Sequence, residues 1–485
     1  MSATWDELLA ALRRADLLVS APAGAAPITG LTTDSRAVRP GALYVAVRGT
    51  QADGHAYVPD AARRGAGAVL VEAPQDAGVP EIVVSDAKAA ALVAARTWYG
   101  DPGARLRLVG VTGTNGKTTT TALVRHLFNA DGRAGSIGTL GAFDGAGLPV
   151  ESTAGALTTP GLVDLQATLA AFVARGTETV AMETSSHALD QGRLDGLVFA
   201  AGIFTNLTRD HLDYHGTMEA YLAAKLLLQR YLGEDGVEVV NADDPAWNGM
   251  PVRRPRVTFG LEGGADVRAD DVRLGAGGSA FRLTGRFGTA AVELPLLGDF
   301  NVANALAAGA CALGLGHPLD EVAERLAAAP QVPGRMERLA TTPCVVLRDY
   351  AHTPDALERA LDTLRPLTPG RVIVVFGCGG DRDRGKRPLM GRVAAERADL
   401  PIVTSDNPRT EDPETIIDDV VAGMEGASYV RIPDRLAAIE RALDEGREGD
   451  TILLAGKGHE TYQILGVEKI AFDEREIVQR LVGAA

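Results

Sequence analysis

Short apolar runs and helix-period stretches take turns along this chain, and their order predicts an architecture before any single residue is weighed. In the first hundred positions "GALYVAVRG" reads as a strand, "AYVPDAARRGAGAVLVE" as a helix then a strand, and "PEIVVSD" as another strand. The helical pattern "DAKAAALVAARTWYGDPG" follows and ends in a Gly-Asp-Pro-Gly breaker at 100–103. A first boundary falls there. From 105 to 331 strands and helices alternate as a parallel sheet with crossover helices requires, with "LRLVGVT", "TETVAME", "GLVFAAGIFT" and "GVEVVNAD" as strands. "QVPGRMERL" at 331–339 has turn chemistry and reads as a second linker. Beyond it "CVVLRDYA", "RVIVVFG", "LPIVTSD" and "DTILLAGKG" resume the alternation. The expected fold is α/β in three domains, 1–104, 105–331 and 332–485. Abundant alanine and glycine blur the periodicity between elements.

The most informative stretch is "VGVTGTNGKTTTTALV", Val109–Val124. Gly110 opens the spacing G-x-x-x-x-x-G-K-T, close to the common phosphate loop, and Gly116-Lys117-Thr118 completes it. Glycines let successive backbone N–H groups face phosphate oxygens, and the following helix adds its positive end. Lys117 is expected to reach the β- and γ-phosphates, and the Thr118 hydroxyl to ligate Mg²⁺. The alternative is a glycine-rich turn with a surface lysine. A guanine-reading N-K-x-D is missing, which disfavours a GTPase.

Ligands of open parallel sheets sit beyond the carboxyl ends of strands, and three further strand ends here are polar. "TVAMETSSHALDQGR" places Glu183 directly after a strand, as a metal ligand or a helix-terminal carboxylate. "FTNLTRDHLDYHG" places Asn206, Asp210, His211 and His215 after another, with His211 a candidate Mg²⁺ neighbour. "GDFNVANALAAG" places Asn301 and Asn304 at a helix start, as caps or nucleotide contacts. Lys225 lies in the predicted helix "MEAYLAAKLLLQRYL" and shares an apolar face with Tyr221, Leu222 and Leu228. Two readings stay open. Lys225 snorkels to the surface, or burial strips its proton and leaves an amine able to form a carbamate with carbon dioxide.

Composition narrows the classes. With 485 residues and 46% hydrophobic side chains the chain can bury several cores. A net charge of −15 excludes general nucleic-acid binding but not local anion sites. Cys311, Cys344 and Cys378 are distant and odd in number, so neither a disulfide framework nor zinc is expected. "MSATWDELLAALRRADLL" lacks the form of a signal peptide, and no uncharged apolar stretch is long enough to span a membrane. A cytoplasmic setting and a monomer are expected.

Together "GVTGTNGKTTT", "METSSHAL", "TNLTRDHLDYHG", "AAK", "GDFNVANALAA", "PGRME", "DYAHTPDAL" and "GGDRDRGKRP" resemble the Mur ligase family, ATP-dependent amide-bond ligases of peptidoglycan synthesis. The resemblance covers nearly the whole chain. It implies a Rossmann-like N-terminal domain, a central P-loop ATPase-type parallel-sheet domain and a Rossmann-like C-terminal domain. It implies that Gly113, Thr114, Asn115, Gly116, Lys117, Thr118 and Thr119 bind ATP with Asn301, Asn304, Arg335 and Asp349. Lys117, Glu183, His211 and Lys225 would be catalytic. Lys225 matches the family's carbamylated lysine (N6-carboxylysine), and with Thr118, Glu183 and His211 it would serve Mg²⁺.

"TTDSRAVRPGALYVAVRGTQADGHAYV", "DNPRTEDP" and "GKGHETYQ" resemble those members that add meso-2,6-diaminopimelate to UDP-N-acetylmuramoyl-L-alanyl-D-glutamate. Thr33, Ser35, Thr50, Gln51 and Ala52 would then hold the UDP part. The family often has His where Thr50 stands, which reduces that contact to the backbone. Thr158, Thr159, Ser185, Gln191 and Arg193 would hold the muramoyl-peptide. Arg382, Asp406, Asn407, Pro408, Arg409, Gly456 and Glu460 would hold diaminopimelate, whose extra carboxylate a guanidinium at Arg409 can grip by two parallel hydrogen bonds. Glu460 would pair with the distal ammonium. "DNPR" also reads simply as a turn, and the turn would aim the arginine. The competing readings are a ligase adding glutamate to a folate, a lysine-adding member, and a P-loop binding protein without catalysis.

Overall fold

The structure is a computed structural model that describes residues 3–24, 27–49, 52–151 and 157–483. Its described residues form two compact units, Met1–Arg268 with Gly285–Phe287 and Asn304–Val322, and Ala269–Thr284 with Gly288–Ala303 and Ala323–Ala485.

The first unit opens with a five-stranded sheet in the order Leu18–Ser20, Glu81–Val84, Ala68–Val71, Leu43–Val45, Leu31–Thr32. Only the Leu18–Ser20 pairing is antiparallel. Alternate residues of these strands face opposite ways, and both faces are buried. Leu43, Val45, Leu70 and Ile82 meet the helices Trp5–Arg14 and Ala87–Tyr99, while Tyr44, Val69 and Val71 meet Val58 and Ala61 of Val58–Arg63. The predicted breaker acts through Gly100, which ends its helix at φ 70°, the left-handed region a side chain disfavours.

The same unit holds a larger sheet. Six neighbouring strands of it, parallel to one another, run Arg256–Gly260, Leu232–Asn241, Phe199–Phe204, Arg107–Thr112, Thr179–Glu183 and Ala134–Gly138 in spatial order, and Gly141–Phe143 adds an antiparallel strand beyond the last. In register, Val111 lies beside both Glu183 and Ile203. The carboxyl ends at Thr112, Glu183 and Phe204 therefore stand together, which is where open sheets bind ligands. The helix predicted from Met218 runs only to Leu226, then tightens to a 3-10 turn, Leu227–Tyr231, that leads into the next strand.

The second unit is a six-stranded sheet ordered Glu337–Ala340, Val345–Asp349, Thr451–Ala455, Val372–Phe376, Leu400–Val403, Val430–Arg431, parallel except at its first strand. Val372, Val374 and Phe376 face the helices Pro354–Leu364, Lys386–Arg397 and Pro413–Val421. Ile373 and Val375 face Arg435–Glu445 and Glu474–Gly483. This two-sided burial explains the unbroken apolar run that marked the strand. The second linker is shorter than expected, because Glu337–Ala340 is a strand. Glu337 is buried, and the Arg348 guanidinium beside it, 2.6 Å from its carboxylate, neutralises the charge that hid the strand from hydropathy. Val267–Gly275, Gly278–Gly285 and Gly288–Leu294 are further strands that form no continuous apolar run, because buried residues such as Phe281, Leu283, Val292 and Leu294 alternate with exposed ones such as Arg282 and Glu293. All three cysteines are free and buried, and no described helix is long and apolar enough to cross a membrane.

Candidate active site

The turn from Thr112 to the helix Lys117–Phe128 is built by close approach of backbone. A Cβ on Gly113 would lie 1.8 Å from Thr205 Oγ1, and one on Gly116 (φ 82°) 2.4 Å from Asn304 Oδ1, so neither position admits a side chain. Asn206 fixes the loop from across the sheet. Its carbonyl accepts from the Thr114 N–H at 2.8 Å and its Oδ1 from the Asn115 N–H at 2.9 Å. The positive helix end from Lys117 is thereby what the turn offers an anion. The Lys117 ammonium caps the carbonyls of Gly113 and Thr114 at 3.0 and 2.8 Å, within the loop it was expected to serve. Thr118 and Thr119 are buried in the first helical turn. Asn304 joins the same loop, since its Oδ1 accepts from Thr120 Oγ1 at 3.3 Å.

Lys225 does not snorkel. It is 1% exposed, donates to the Gly113 carbonyl at 2.7 Å and lies 4.1 Å from the centre of the Tyr221 ring. Burial holds its pKa well below the ordinary lysine range, and the nearby Lys117 charge lowers it further. The Tyr221 hydroxyl shares a 3.2 Å hydrogen bond with Thr114 Oγ1, tying the lysine's helix to the phosphate loop. His211 sits at φ 53° at the head of a short helix, half-exposed, 3.5 Å from Asp210, and its ring packs on His187. Burial lowers the His211 pKa, and lowers that of His187 to about 4, so both rings are neutral near pH 7.

Glu183 is 1% exposed, at the end of its strand. The Thr139 N–H donates to Oε1 at 2.9 Å and the Thr139 hydroxyl to Oε2 at 3.2 Å. From there one polar chain links every expected muramoyl-peptide residue. Thr139 Oγ1 lies 3.2 Å from Thr158 Oγ1. The Thr159 hydroxyl donates to the Glu183 carbonyl at 2.8 Å and accepts from the Ser185 N–H at 3.1 Å. Arg193 donates to the Thr159 carbonyl at 2.9 Å and to Gln191 Oε1 at 2.9 and 2.6 Å. Thr139 is an organiser that sequence reasoning passed over, because nothing local marks it as reaching another strand's end; Asn206 was expected at a strand end and Tyr221 only as an apolar neighbour of Lys225.

Of the expected uridine contacts, Ser35 is buried and Thr33 and Ala52 are exposed beside the five-stranded sheet. Thr50 and Gln51 lie outside the described residues.

The remaining candidates belong to the second unit. Asn301 is buried and donates to the Leu297 carbonyl at 2.8 Å. Arg335 stacks on Tyr350, 4.7 Å from its ring centre. Asp349 accepts from the Met336 N–H at 2.7 Å. Burial raises its pKa, opposed by the Arg335 charge.

The expected amine site comes together from three segments distant in sequence. Arg409 stands at φ 53°, and a one-residue bridge to Leu465 holds that backbone, with the Arg409 N–H on the Ile464 carbonyl at 3.1 Å and the Gly466 N–H on the Arg409 carbonyl at 2.8 Å. Its guanidinium donates to the Gly380 carbonyl at 2.8 Å. Glycines let the segments touch. A Cβ on Gly380 would lie 1.8 Å from the Pro408 carbonyl oxygen, and one on Gly456 2.6 Å from Asp406 Oδ2. Asn407 is buried and donates to Glu460 Oε2 at 2.8 Å. Arg382 is exposed on the neighbouring loop and donates to the Asp381 carbonyl at 3.0 Å. The wholly buried Arg387 stitches that loop to Glu411 and Asp419. Arg387, in the first turn of the helix Lys386–Arg397, and Lys457 were not foreseen, because no local pattern marks a single charge as buried.

Among the described residues no group of three or more His, Cys, Asp or Glu side chains is arranged to hold a metal ion. Mg²⁺ needs no such cage, since it commonly takes one or two carboxylates and the rest from phosphates and water. The donor chemistry fits it: a buried carboxylate at Glu183 under Gly138, where a Cβ would lie 2.3 Å from Oε1, the Thr118 hydroxyl and the His211 imidazole, with the Lys225 amine buried nearby against the phosphate loop.

The chain belongs to the Mur ligase family. Three family profiles match in chain order: Mur ligase family, catalytic domain, over 27–100; Mur ligase middle domain over 111–312; and Mur ligase, glutamate ligase domain, over 334–458. Within it, the chain is 47% identical to the UDP-N-acetylmuramoyl-L-alanyl-D-glutamate–2,6-diaminopimelate ligase of Geobacillus kaustophilus over 94% of this chain and 95% of that one. It is 48% identical to the Synechococcus elongatus ligase of the same name, over 93% of each. A solved structure of a ligase of that name superposes with a TM-score of 0.66 at 33% identity, covering 100% of this chain and 99% of the other.

Proposed function

We propose that this chain is an ATP-dependent ligase that adds meso-2,6-diaminopimelate to UDP-N-acetylmuramoyl-L-alanyl-D-glutamate through an acyl phosphate, in peptidoglycan precursor synthesis. The observation that carries the reading is the grouping of Arg409, Asn407 and Glu460: a guanidinium for a second carboxylate beside a carboxylate for a second ammonium. Lysine has no second carboxylate, so it would leave Arg409 without a counter-charge. A folate-directed ligase adds glutamate, which has no second ammonium for Glu460 to grip.

A carboxylate is a poor electrophile, so the D-glutamyl γ-carboxylate first attacks the γ-phosphorus of ATP and ADP leaves. The helix end at Lys117 and the Lys117 ammonium hold the phosphates and screen the repulsion between two anions. Glu183, Thr118, His211 and a carbamate on Lys225 would hold Mg²⁺, which supplies further charge neutralisation when bound. Thr158, Thr159, Ser185, Gln191 and Arg193 orient the muramoyl-peptide. The amine, deprotonated and aimed by the Arg409 and Glu460 grips, attacks the acyl carbon. The tetrahedral adduct then loses inorganic phosphate and leaves the amide. Phosphate chemistry falls to residues of the first unit and amine binding to residues of the second. We assign the division 1–104, 105–331 and 332–485 to uridine, ATP and amine binding, and place the enzyme in the cytoplasm as a monomer. A phosphate-release assay offering diaminopimelate and L-lysine in competition tests the reading: only diaminopimelate should be incorporated, and preferential lysine incorporation would sink it.

A further inference from the structure

Two segments of the amine site meet on one amide. Asn407 Oδ1 accepts from the Lys457 ammonium at 3.1 Å and from the Ile464 N–H at 3.0 Å, while its Nδ2 donates to Glu460 Oε2 at 2.8 Å. A side-chain amide has one accepting end and one donating end, so two donors on one side decide which end faces Glu460. Lys457 can only donate. It is wholly buried and lies 3.5 Å from the same Glu460 Oε2. Both contacts fall on Oε2, and neither takes Oε1. An ammonium buried this deeply is costly beside an apolar side chain of its size, yet one stands here, three residues before the carboxylate it faces. The hairpin Tyr462–Leu465/Glu468–Ala471 supports the arrangement, because Gln463 donates to the Asp406 carbonyl at 2.7 Å.

We propose that Lys457 is a positioning residue of the amine site: it fixes the Asn407 amide and holds one oxygen of Glu460, which turns the other oxygen toward the distal ammonium of the incoming diamino acid. This rests on the ligase reading above and adds a residue that acts through Asn407 and Glu460.

The probe is 2-aminopimelate, which lacks only the distal amine of diaminopimelate. With full-length enzyme, ATP and UDP-N-acetylmuramoyl-L-alanyl-D-glutamate, kcat/KM is measured for each amine donor. The wild type should prefer diaminopimelate. In Lys457→Met that preference should shrink about tenfold, through KM for diaminopimelate, with kcat and KM for ATP held within about threefold. Asn407→Leu removes the same relay and should shrink the preference as much, which keeps the test decisive if Lys457→Met does not fold. An unchanged preference in either folded variant, or equal slowing with both donors, overturns the proposal while leaving the ligase reading intact. A wild type that prefers neither donor also overturns it. A wild type that forms no diaminopimelate product overturns the ligase reading and the proposal with it.

Discussion

The phosphate loop and the amine site solve opposite problems with opposite materials. In the proposed reaction the loop at 112–119 meets an anion whose charge every nucleotide shares, and what it offers is backbone: glycines that admit no Cβ, a helix end, one lysine. In the same proposal 379–382, 406–411 and 456–466 must tell one diamino acid from its near relatives, and what they offer is side chains converging from three segments. The first device is local and tolerates little variation. The second is assembled only by folding, and its parts can be exchanged.

Mutations should separate the two regions. Lys117→Ala should have the largest effect, a roughly 10³-fold fall in phosphate release with every amine, since it removes charge where the reaction concentrates it. Lys225→Ala should cost about 10²-fold and recover in part with added short carboxylic acids, because a free carboxylate can stand where the carbamate would. Absence of rescue at any concentration would count against the carbamate. Arg409→Ala should lower kcat/KM for diaminopimelate by about 10- to 100-fold while leaving KM for ATP unmoved, through loss of a charged hydrogen-bonded grip. Equal loss on both substrates would erase the contrast drawn here.

A smaller effect concerns the frame of the amine site. Side-chain hydrogen bonds from Arg387, followed by the Asp381 N–H, hold the Glu411 carboxyl at a pKa of about 2, below its ordinary 4.5. A lowered carboxyl pKa stabilises the fold in full above the ordinary value and loses that contribution as pH falls toward the folded value. Glu411→Gln should therefore lower the denaturation midpoint at pH 7, and the gap from wild type should narrow between pH 4.5 and about 2. A gap constant across that range would remove Glu411 from the frame. The smallest effect is expected at the hairpin tip, where Val467 is 93% exposed; Val467→Thr should change stability by less than about 0.5 kcal/mol and activity not at all.

The same contrast explains what could be read from the residues alone. Strands buried on both faces, such as Val372–Phe376, announce themselves as apolar runs, and the phosphate loop announces itself by glycine spacing. Lys225 could be placed on an apolar helical face but not declared buried, because a lysine stem suits both outcomes until its neighbours are known. Glu337–Ala340 read as linker because the charge at its first residue is cancelled by Arg348 and Arg475, which lie far off in sequence. Arg409, Asn407 and Glu460 were found by likeness to a family, since no periodicity links positions fifty residues apart. Lys457 escaped notice because its meaning lies in the orientation of an amide on another loop.

The glycines at 380 and 456 carry a practical lesson for anyone wishing to feed this enzyme an unnatural amine. Main chain rests directly against Pro408 at the one and against the Asp406 carboxylate at the other, so the cavity walls cannot be pushed apart by enlarging a residue between them. New selectivity must come from trading the projecting groups, with the loops kept as an unalterable mould.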